Sequence, residues 1–221
     1  MQTRAMTLTF HGVGEPPRVL DRGEADVWVS KKRFATLLDA AAERNDVRIT
    51  FDDGNVSDLE HALPALRARG LKATFFIVAG RIGTPGFVDA SGVRQLAAAG
   101  MEIGSHGMRH RPWRHLDALA RDEELVGAKA LLEEVVERPV TDAACPFGSY
   151  DRRVVAGLRA AGYRRVYTSD RGTTRPDDFL QARNSVGPRD EPDILRRIAA
   201  LDRRADKALR RRAKLAVKRW R

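Results

Sequence analysis

The chain has 221 residues, 43% of them apolar, enough to bury the core of one ordinary domain. Its mostly apolar runs are too short to span a membrane, and a single cysteine, Cys145, excludes an intrachain disulfide. The formal charge is +10, but residues 202–221 contain ten Arg or Lys against two Asp, so the remaining 201 residues carry only +2. A nearly neutral body argues against a nucleic-acid-binding enzyme.

Strand and helix patterns alternate along the chain. The predicted strands are 6–10, 47–51, 73–78, 101–104, 140–144, 163–168 and 180–186. The predicted helices are 30–44, 58–69 with a kink at Pro64, 91–99, 116–137, 151–161 and a tail helix from Pro192. This alternation predicts parallel βαβ units, in a barrel or in an open doubly wound sheet. The glycine-rich phosphate-binding turn that accompanies many open sheets is absent.

The first candidate motif is the segment 50–54, at the end of a predicted strand. The strand delivers two adjacent carboxylates, Asp52 and Asp53, and Gly54 lets the backbone turn at once. Neighbouring residues at a strand end point in different directions. One carboxylate can therefore bind a metal ion while the other faces a reacting water.

The second candidate motif is a pair of histidines, His106 and His110, directly after the predicted strand 101–104. Four positions apart, both imidazoles can reach one ion. Two histidines and one carboxylate with an open position form the ligand set of a hydrolytic zinc site. Each motif alone is weak, because Asp-Asp-Gly turns and histidine pairs are common. Together, each at a strand end, they favour a metal site.

These motifs resemble those of a known family, the NodB-homology polysaccharide deacetylases (carbohydrate esterase family 4). Thr50-Phe51-Asp52-Asp53-Gly54 resembles the first motif of the family. His106-Gly107-Met108-Arg109-His110 resembles its His-x-x-x-His motif, with Gly107 where Ser or Thr is usual. Ala144-Cys145-Pro146-Phe147-Gly148 resembles the third motif, which usually reads Arg-x-Pro-Tyr-Gly. The likeness runs from about Met6 to Val186.

The resemblance implies an α/β fold, the distorted (β/α)7 barrel of the polysaccharide deacetylase type. It implies that Asp53, His106 and His110 bind one divalent ion, Zn2+ in first place, with Co2+ or Ni2+ as alternatives. It further implies that Asp52 is the general base. The backbone N–H of Phe147 and the metal would form the oxyanion hole.

Two departures from the family pattern concern proton transfer. Ala144 replaces the arginine that pairs with the base in the family, so the pKa of Asp52 is expected to be less depressed and its orientation to need another partner. The late histidine that serves as general acid is also missing, since no histidine follows His115. The corresponding segment, 182–186, offers no proton donor of suitable pKa.

His11 is the candidate replacement for the missing acid. It follows the first predicted strand, at the same barrel end as the other site residues. The arrangement resembles the permuted poly-N-acetylglucosamine deacetylase branch, in which a Tyr-His-Asp segment near the start supplies the acid and the third motif lacks arginine. The alternative is a hydrogen-bonded histidine at a strand end.

Three further residues are candidate substrate contacts. Trp113, three residues after His110, can stack on a sugar ring or belong to the core. Asp170 follows a predicted strand and can orient His11, bind sugar hydroxyls or cap a loop. Pro146 of the third motif is assigned to the same substrate site.

The C-terminal segment is predicted to differ from the catalytic domain, which covers residues 1–190. Residues 191–221 read as a basic amphipathic helix whose first half packs on the barrel. Residues 202–221 are then either a solvated end or a peripheral binder of anionic membranes. No secretory signal precedes the first strand, so the expected location is cytoplasmic, on the inner face of the plasma membrane.

The sequence therefore predicts a metal-dependent N-deacetylase acting on an N-acetylated sugar in a glycan or a lipid-linked saccharide. One alternative is an N-deformylase of a lipid-linked amino sugar. A rival from another class is a non-catalytic glycan-binding protein of the same fold. The base and all three ligands are intact, which opposes that rival. No nucleic-acid partner is expected.

Overall fold

Seven parallel strands form the centre of the computed structural model, which describes residues 4–203 and 216–217. Among the described residues there are ten strands, of which β2, β3 and β9 are not part of these seven. The strands are β1 (Ala5–Phe10), β2 (Gly12–Val13), β3 (Trp28–Val29), β4 (Val47–Asp53), β5 (Ala73–Ile77), β6 (Glu102–Ser105), β7 (Asp142–Ala144), β8 (Arg165–Thr168), β9 (Thr173–Thr174) and β10 (Leu180–Ser185). The helices are α1 (Lys31–Ala42), α2 (Leu63–Arg67), α3 (Ala90–Ala98), α4 (Ala118–Asp122), α5 (Ala128–Val136), α6 (Arg152–Ala160) and α7 (Ile194–Arg203). π-helical turns, Asp58–Ala62 and Glu123–Gly127, lead directly into α2 and α5.

The strands close on themselves. The order β1-β4-β5-β6-β7-β8-β10 is completed by parallel pairing of β10 with β1, where Thr7 lies opposite Arg183. β9 runs antiparallel to the first two residues of β1, and β2 pairs with β3 outside the barrel. Closure removes every open edge from the parallel strands. The predicted (β/α)7 barrel is confirmed.

Alternate residues along each strand face opposite sides of the barrel wall. Phe51 and Phe75 face outward and stack with ring centroids 4.6 Å apart. Phe10 and Phe34 of α1 complete this aromatic group. All four rings are buried, and burial of each stabilises the fold by about 1.5 to 3 kcal/mol. The next residue after Phe51, Asp52, faces inward.

The barrel interior is filled by side chains. Phe76 of β5 and Tyr167 of β8 lie 4.9 Å apart between ring centroids, although their strands are not neighbours. Ala144 packs with both rings. Gly104 of β6 makes room for Phe76, since a Cβ atom there would lie 2.4 Å from its ring. Polar groups are therefore concentrated towards the carboxyl ends of the strands.

Short polar side chains begin several helices, as the sequence suggests. Ser30 caps α1 and Asp151 caps α6 by accepting backbone N–H groups. α3 begins two residues earlier than its predicted start, at the cap Asp89. Ser57 does not cap its helix; its Oγ instead accepts the N–H of Val13, 3.3 Å away. This bond connects the turn after β4 to β2.

Helix α7 covers the end of the catalytic domain. Ile194, Leu195 and Ile198 are buried, and the helix contacts β1 and β9. Most of the predicted basic segment 202–221 lies outside the described residues, so its helical and membrane-binding character stays a prediction. Within the described ranges no helix is both long and apolar enough to cross a bilayer.

Candidate active site

The three predicted metal ligands come together at the carboxyl ends of β4 and β6. One ligand atom from each of Asp53, His106 and His110 lies within 4.8 Å of the others. Asp53 Oδ1 is 3.3 Å from His110 Nε2 and 3.6 Å from His106 Nε2. The spacing is that of side chains converging on one point, as ligands of a single ion do.

The backbone at this edge of the barrel adopts an uncommon conformation. Asp53 (φ 78°) and His110 (φ 55°) both lie in the left-handed region, which costs a non-glycine residue about 1 kcal/mol or more. The next residue, Gly54 (φ 74°), is also in the left-handed region. The chain therefore turns within two residues of β4, and both ligand side chains are buried or half-buried at the mouth.

The ring of His106 is fixed by a backbone hydrogen bond. Its Nδ1 lies 2.8 Å from the carbonyl oxygen of Ala144 and donates to it, which leaves Nε2 facing Asp53. Burial lowers the pKa of His106 from 6.5 to about 4. Burial also lowers the pKa of His110. Both imidazoles are consequently neutral near pH 7, as metal ligands must be.

A buried carboxylate, Glu124, holds the loop that carries His110. It accepts the backbone N–H groups of Met108 (3.0 Å) and Arg109 (2.9 Å) and the indole N–H of Trp113 (3.3 Å). A Cβ atom at Gly107 would lie 2.2 Å from Glu124 Oε2. The glycine that departs from the family motif is thus required by Glu124. The sequence reasoning missed Glu124, although that departure signalled a close neighbour.

Two predicted substrate contacts are not exposed. Trp113 is 1% exposed, so its ring belongs to the core and cannot stack on a sugar from solvent. That prediction was wrong, because the indole is anchored beneath the loop by Glu124. Pro146 is also buried, so it shapes the turn Pro146–Gly148 instead of presenting a surface.

Phe147 is an exposed aromatic residue beside the candidate ligand cluster. Its side chain is 68% exposed, and its ring centroid lies 4.6 Å from that of His110. The residue is in the left-handed region (φ 54°), at the tip of a turn in which the Gly148 N–H donates to the Cys145 carbonyl. The turn places both the backbone and the ring of Phe147 at the mouth of the site.

The predicted base, Asp52, has a cationic partner after all. Arg183 Nη1 contacts both oxygens of this carboxylate and lies 2.6 Å from Oδ2. Burial opposes ionisation of Asp52, but the charge of Arg183, followed by His106 and His11, lowers its pKa below 3.8. The expected consequence of Ala144 is therefore corrected, since another strand supplies the cation.

The position of Arg183 explains why the third motif can lose its arginine. Ala144 packs against Phe76 and Tyr167 inside the barrel, and the Arg183 guanidinium lies 5.6 Å from the Phe76 ring. Arg183 is 3% exposed, in the middle of β10. A charged residue in the middle of a predicted barrel strand was the available signal, because a buried guanidinium requires a buried carboxylate.

His11 lies next to the base. Its Nε2 is 3.8 Å from Asp52 Oδ2, and its side chain is 18% exposed. The ring therefore reaches solvent on one side and the carboxylate on the other. His11 thus lies beside the candidate base at the mouth of the barrel, and its role as proton donor stays a prediction.

Asp170 makes contacts that stabilise the loop after β8. Its Oδ2 accepts the hydroxyl hydrogen atoms of Tyr150 (2.6 Å) and Thr168 (2.8 Å). These bonds match the loop-capping alternative. His11, which Asp170 was a candidate to orient, lies instead beside Asp52.

A divalent ion fits the cluster. Asp53 Oδ1 is buried and has no hydrogen-bond partner in the described part of the chain, although it faces both imidazoles. Two neutral nitrogen donors and one carboxylate suit Zn2+, Co2+ or Ni2+. The lone pairs of the carboxylate oxygen and of the two imidazole nitrogens face one another. A bound cation would make this arrangement favourable.

A further buried carboxyl, Asp58, lies near the same carboxylates. It is completely buried, and neither oxygen has a hydrogen-bond partner among residues 4–203. Burial first, and then the charges of Asp53 and Asp52, raise its pKa well above 3.8. No sequence pattern marked this residue, which lies at the start of the predicted helix 58–69.

Fold and site together define a parallel α/β barrel with a cluster of two histidines and a carboxylate, candidate metal ligands, at its mouth. Residues 39–166 match the family described as Polysaccharide deacetylase. The chain belongs to this family, in agreement with the resemblance of its motifs.

Two relatives show how far the likeness extends. The protein YxkH of Bacillus subtilis (strain 168) is 27% identical over 166 residues, which are 75% of this chain and 60% of that protein. A chitin deacetylase from Pestalotiopsis sp is 28% identical over 128 residues, 58% of this chain and 43% of that enzyme. The chain thus matches about half the length of these relatives.

Solved structures share the fold. The Streptococcus pyogenes deacetylase PplD, in complex with acetate, has a TM-score of 0.78 at 17% identity, over 90% of this chain and 99% of that one. IcaB from Ammonifex degensii has a TM-score of 0.74 at 21% identity, over 89% and 97% of the two chains. At such identities the likeness shows the fold alone.

Proposed function

We propose that the protein is a metal-dependent N-deacetylase that hydrolyses the acetamide of an N-acetylated sugar in a glycan or lipid-linked saccharide. One observation carries the proposal: an ionised carboxylate, Asp52, lies beside the ligand cluster, paired with Arg183 and next to His11. A structural ion pair would not need the neighbouring ligands. Family membership and a relative named as a chitin deacetylase support the substrate class.

Asp53, His106 and His110 would hold the metal ion. A divalent ion bound there, Zn2+ in first place, would act as a Lewis acid towards water and the acyl carbonyl. The protein contributes neutral imidazoles, a fixed His106 ring and a loop held by Glu124. These features keep the ligand atoms in place before the ion arrives, which reduces the cost of binding.

Asp52 would accept the proton of the water that attacks the acyl carbon. Its carboxylate is ionised because Arg183 offsets the penalty of burial. His106 Nε2 lies 3.5 Å from Asp52 Oδ2, so the base borders the cluster directly. Protonation of the amine nitrogen then completes the C–N cleavage, and His11 is the group placed to deliver that proton.

Phe147 has two candidate roles at the mouth. Its backbone N–H is the proposed donor to the oxyanion of the tetrahedral intermediate. Its ring is exposed and adjacent to His110, so it is the aromatic surface on which the apolar face of a sugar would stack. This second role replaces the one predicted for Trp113.

The non-catalytic alternative is weakened by Arg183. That alternative was based on two missing parts, the motif arginine and the late histidine. Arg183 supplies the cation, and His11 lies within 3.8 Å of the base. A binding protein gains nothing from a buried, paired base next to three ligands.

The test is amine release from N-acetylglucosamine oligomers and lipid-linked N-acetyl sugars, with metal content measured on the same preparation. We expect turnover that chelation removes and Zn2+ or Co2+ restores. N-formyl substrates distinguish a deformylase. A protein that binds no divalent ion at micromolar concentration, or binds one and releases no amine from either class, would exclude the proposed activity.

We also propose that residues 202–221 attract the protein to anionic membranes from the cytoplasmic side. The support is sequence charge, ten basic residues against two acidic ones. Full-length protein should bind phosphatidylserine vesicles at low salt, and a chain ending at Arg203 should not. Binding that ignores salt or persists after truncation would contradict this part of the proposal.

A further inference from the structure

A cleft with an unusual lining opens beside the candidate active site. It encloses about 250 Å³. Its wall combines the apolar Trp113, Leu116 and Val154 with three arginines, a histidine and one carboxylate: Arg121, Arg152, Arg153, His115 and Asp151. No residue assigned above to metal binding or proton transfer belongs to it.

The cleft lies at the same barrel end as the metal cluster. Trp113 is three residues from His110, so their Cα atoms are within about 11 Å of each other. Arg152 begins α6, five residues after Phe147. The Arg114 N–H donates to Ser149 Oγ at 3.3 Å and joins the two loops. A saccharide bound across Phe147 would therefore reach the cleft with its neighbouring unit.

The three arginines of the cleft carry unneutralised charge. Within the described part of the chain, Arg121, Arg152 and Arg153 lie in no ion pair, whereas Arg109 and Arg165, outside the cleft, pair with Glu123 and Asp142. Guanidinium groups that line a concave, partly apolar surface and have no ion-pair partner can bind an external anion.

Asp151, a carboxylate in the cleft wall, and Asp117, next to Leu116 in the sequence, both cap helices. Asp151 Oδ1 accepts the N–H groups of Arg153 and Val154, both at 2.9 Å. Asp117 Oδ1 accepts the Ala120 N–H at 2.8 Å. Because each carboxylate is satisfied by the positive end of a helix, neither competes strongly with a ligand for the arginines.

We propose that this cleft binds an oxyanion, a phosphoryl or carboxylate group, carried by the sugar unit next to the one that is deacetylated. Guanidinium groups recognise both oxyanions through paired hydrogen bonds. The volume corresponds to about eight waters at about 30 Å³ each, room for one charged sugar unit. The substrate part of this inference rests on the proposed N-deacetylase function. Anion binding itself does not.

Binding is tested with sugars that cannot be deacetylated. Glucose, glucose 6-phosphate and glucuronate are titrated into the full-length protein and followed by NMR or calorimetry at low salt. We expect at least one charged sugar to bind about tenfold more tightly than glucose, as charge-assisted hydrogen bonds provide. The preferred sugar identifies the phosphoryl or carboxylate source. Equal affinities for all three would overturn the proposal.

The double variant Arg152→Gln/Arg153→Gln should lose this preference. The matched control is Arg67→Gln/Arg94→Gln, which removes the same charge from two exposed arginines on α2 and α3. The control should keep both the preference and the wild-type Tm. An equal loss in the control would show a general charge effect and remove the cleft from the interpretation.

A kinetic comparison then tests the substrate part. N-acetylated oligomers with and without a phosphoryl or carboxylate group should differ about tenfold in KM for the wild type and little for the Arg152→Gln/Arg153→Gln variant. A preference in binding without a difference in KM would overturn the subsite. Absence of turnover with every oligomer would refute the N-deacetylase function while leaving anion binding to the titrations.

Discussion

The two halves of the candidate site are assembled in different ways. The ligand half, Asp53, His106 and His110, comes from the ends of β4 and β6 and lies in short contiguous motifs. The proton-transfer half joins His11, which follows β1, to Asp52 of β4 and Arg183 of β10, with Asp52 and Arg183 separated by 131 positions. The first half is a product of local turns. The second exists only because the barrel closes.

The largest expected effect comes from variants that remove a residue of the ligand half. Asp53→Ala and His106→Ala should each reduce metal content to background and abolish amine release, because two donors do not retain a divalent ion against water. Metal analysis and activity are measured together. His61→Ala, outside the cluster, is the control and should change neither. Retained metal in the Asp53 variant would show that the ion is bound elsewhere.

Replacement of His11 should impair the proton-transfer half and leave the ligand half intact. His11→Ala is expected to lower kcat by about 10²–10⁴-fold with metal content unchanged, since a general acid is lost and no ligand is. The alkaline limb of the pH–rate profile should also move. Near-normal turnover would remove His11 from the mechanism and leave the solvent as the acid.

Arg183→Met tests the role of barrel closure in activating the base. Burial then acts on Asp52 without the largest opposing charge, so the pKa of Asp52 rises and the acid limb of kcat/KM moves to higher pH. We expect kcat to fall about 100-fold and stability by about 3 to 5 kcal/mol, as for a broken buried ion pair. Arg183→Lys should recover part of both. An unmoved acid limb would contradict this role.

Gly107→Ser tests how tightly the ligand half is held. The added Cβ would lie 2.2 Å from Glu124 Oε2, so the loop must shift and metal affinity should fall about 10-fold or more. Gly162→Ser is matched, with φ 80° against 82° and no atom within 4 Å of its Cβ. The Gly162→Ser variant measures the cost of the left-handed backbone conformation alone. The metal affinity of this variant should not change.

The smallest expected effect is a gain in stability from Asp58→Asn. The folded-state pKa of Asp58 is raised, so its contribution to stability is present below about pH 4 and is lost as pH rises through that folded pKa. The Asp58→Asn variant has no buried carboxyl group to ionise. Its free energy of unfolding should therefore be about 1 to 3 kcal/mol higher than that of the wild type at pH 7 in metal-free protein. The effect of His106 on the pH dependence of stability has the opposite sign.

The depressed pKa of His106, about 4 against 6.5, makes stability fall as pH drops from 6.5 towards 4, in wild type and in Asp58→Asn alike. Thermal melts of chelated protein from pH 4 to 8 measure both effects. A variant that is less stable than wild type at pH 7 would show that Asp58 has a favourable partner.

The sequence predicts the parts of the molecule whose causes are local. Strand alternation predicted parallel βαβ units, the motif resemblance pointed to the barrel, and Asp-Asp-Gly with His-x-x-x-His indicated the ligand cluster. Contacts between distant segments were not accessible in this way. Arg183 acts on Asp52 from 131 positions away. Glu124 binds N–H groups 11 to 16 positions before it, including the indole of the buried Trp113. A pattern of residue types does not specify which buried charges meet.

Barrel closure by β10 also sets an order of events during translation. Asp53, His106 and His110 have all left the ribosome long before Arg183 is made, so a nascent or proteolytically shortened chain can hold the ligand residues without the cation that ionises Asp52. Such a chain would keep the candidate ligand residues but lack the cation that holds the Asp52 carboxylate ionised. In the proposed mechanism, only the complete barrel therefore supplies a working base.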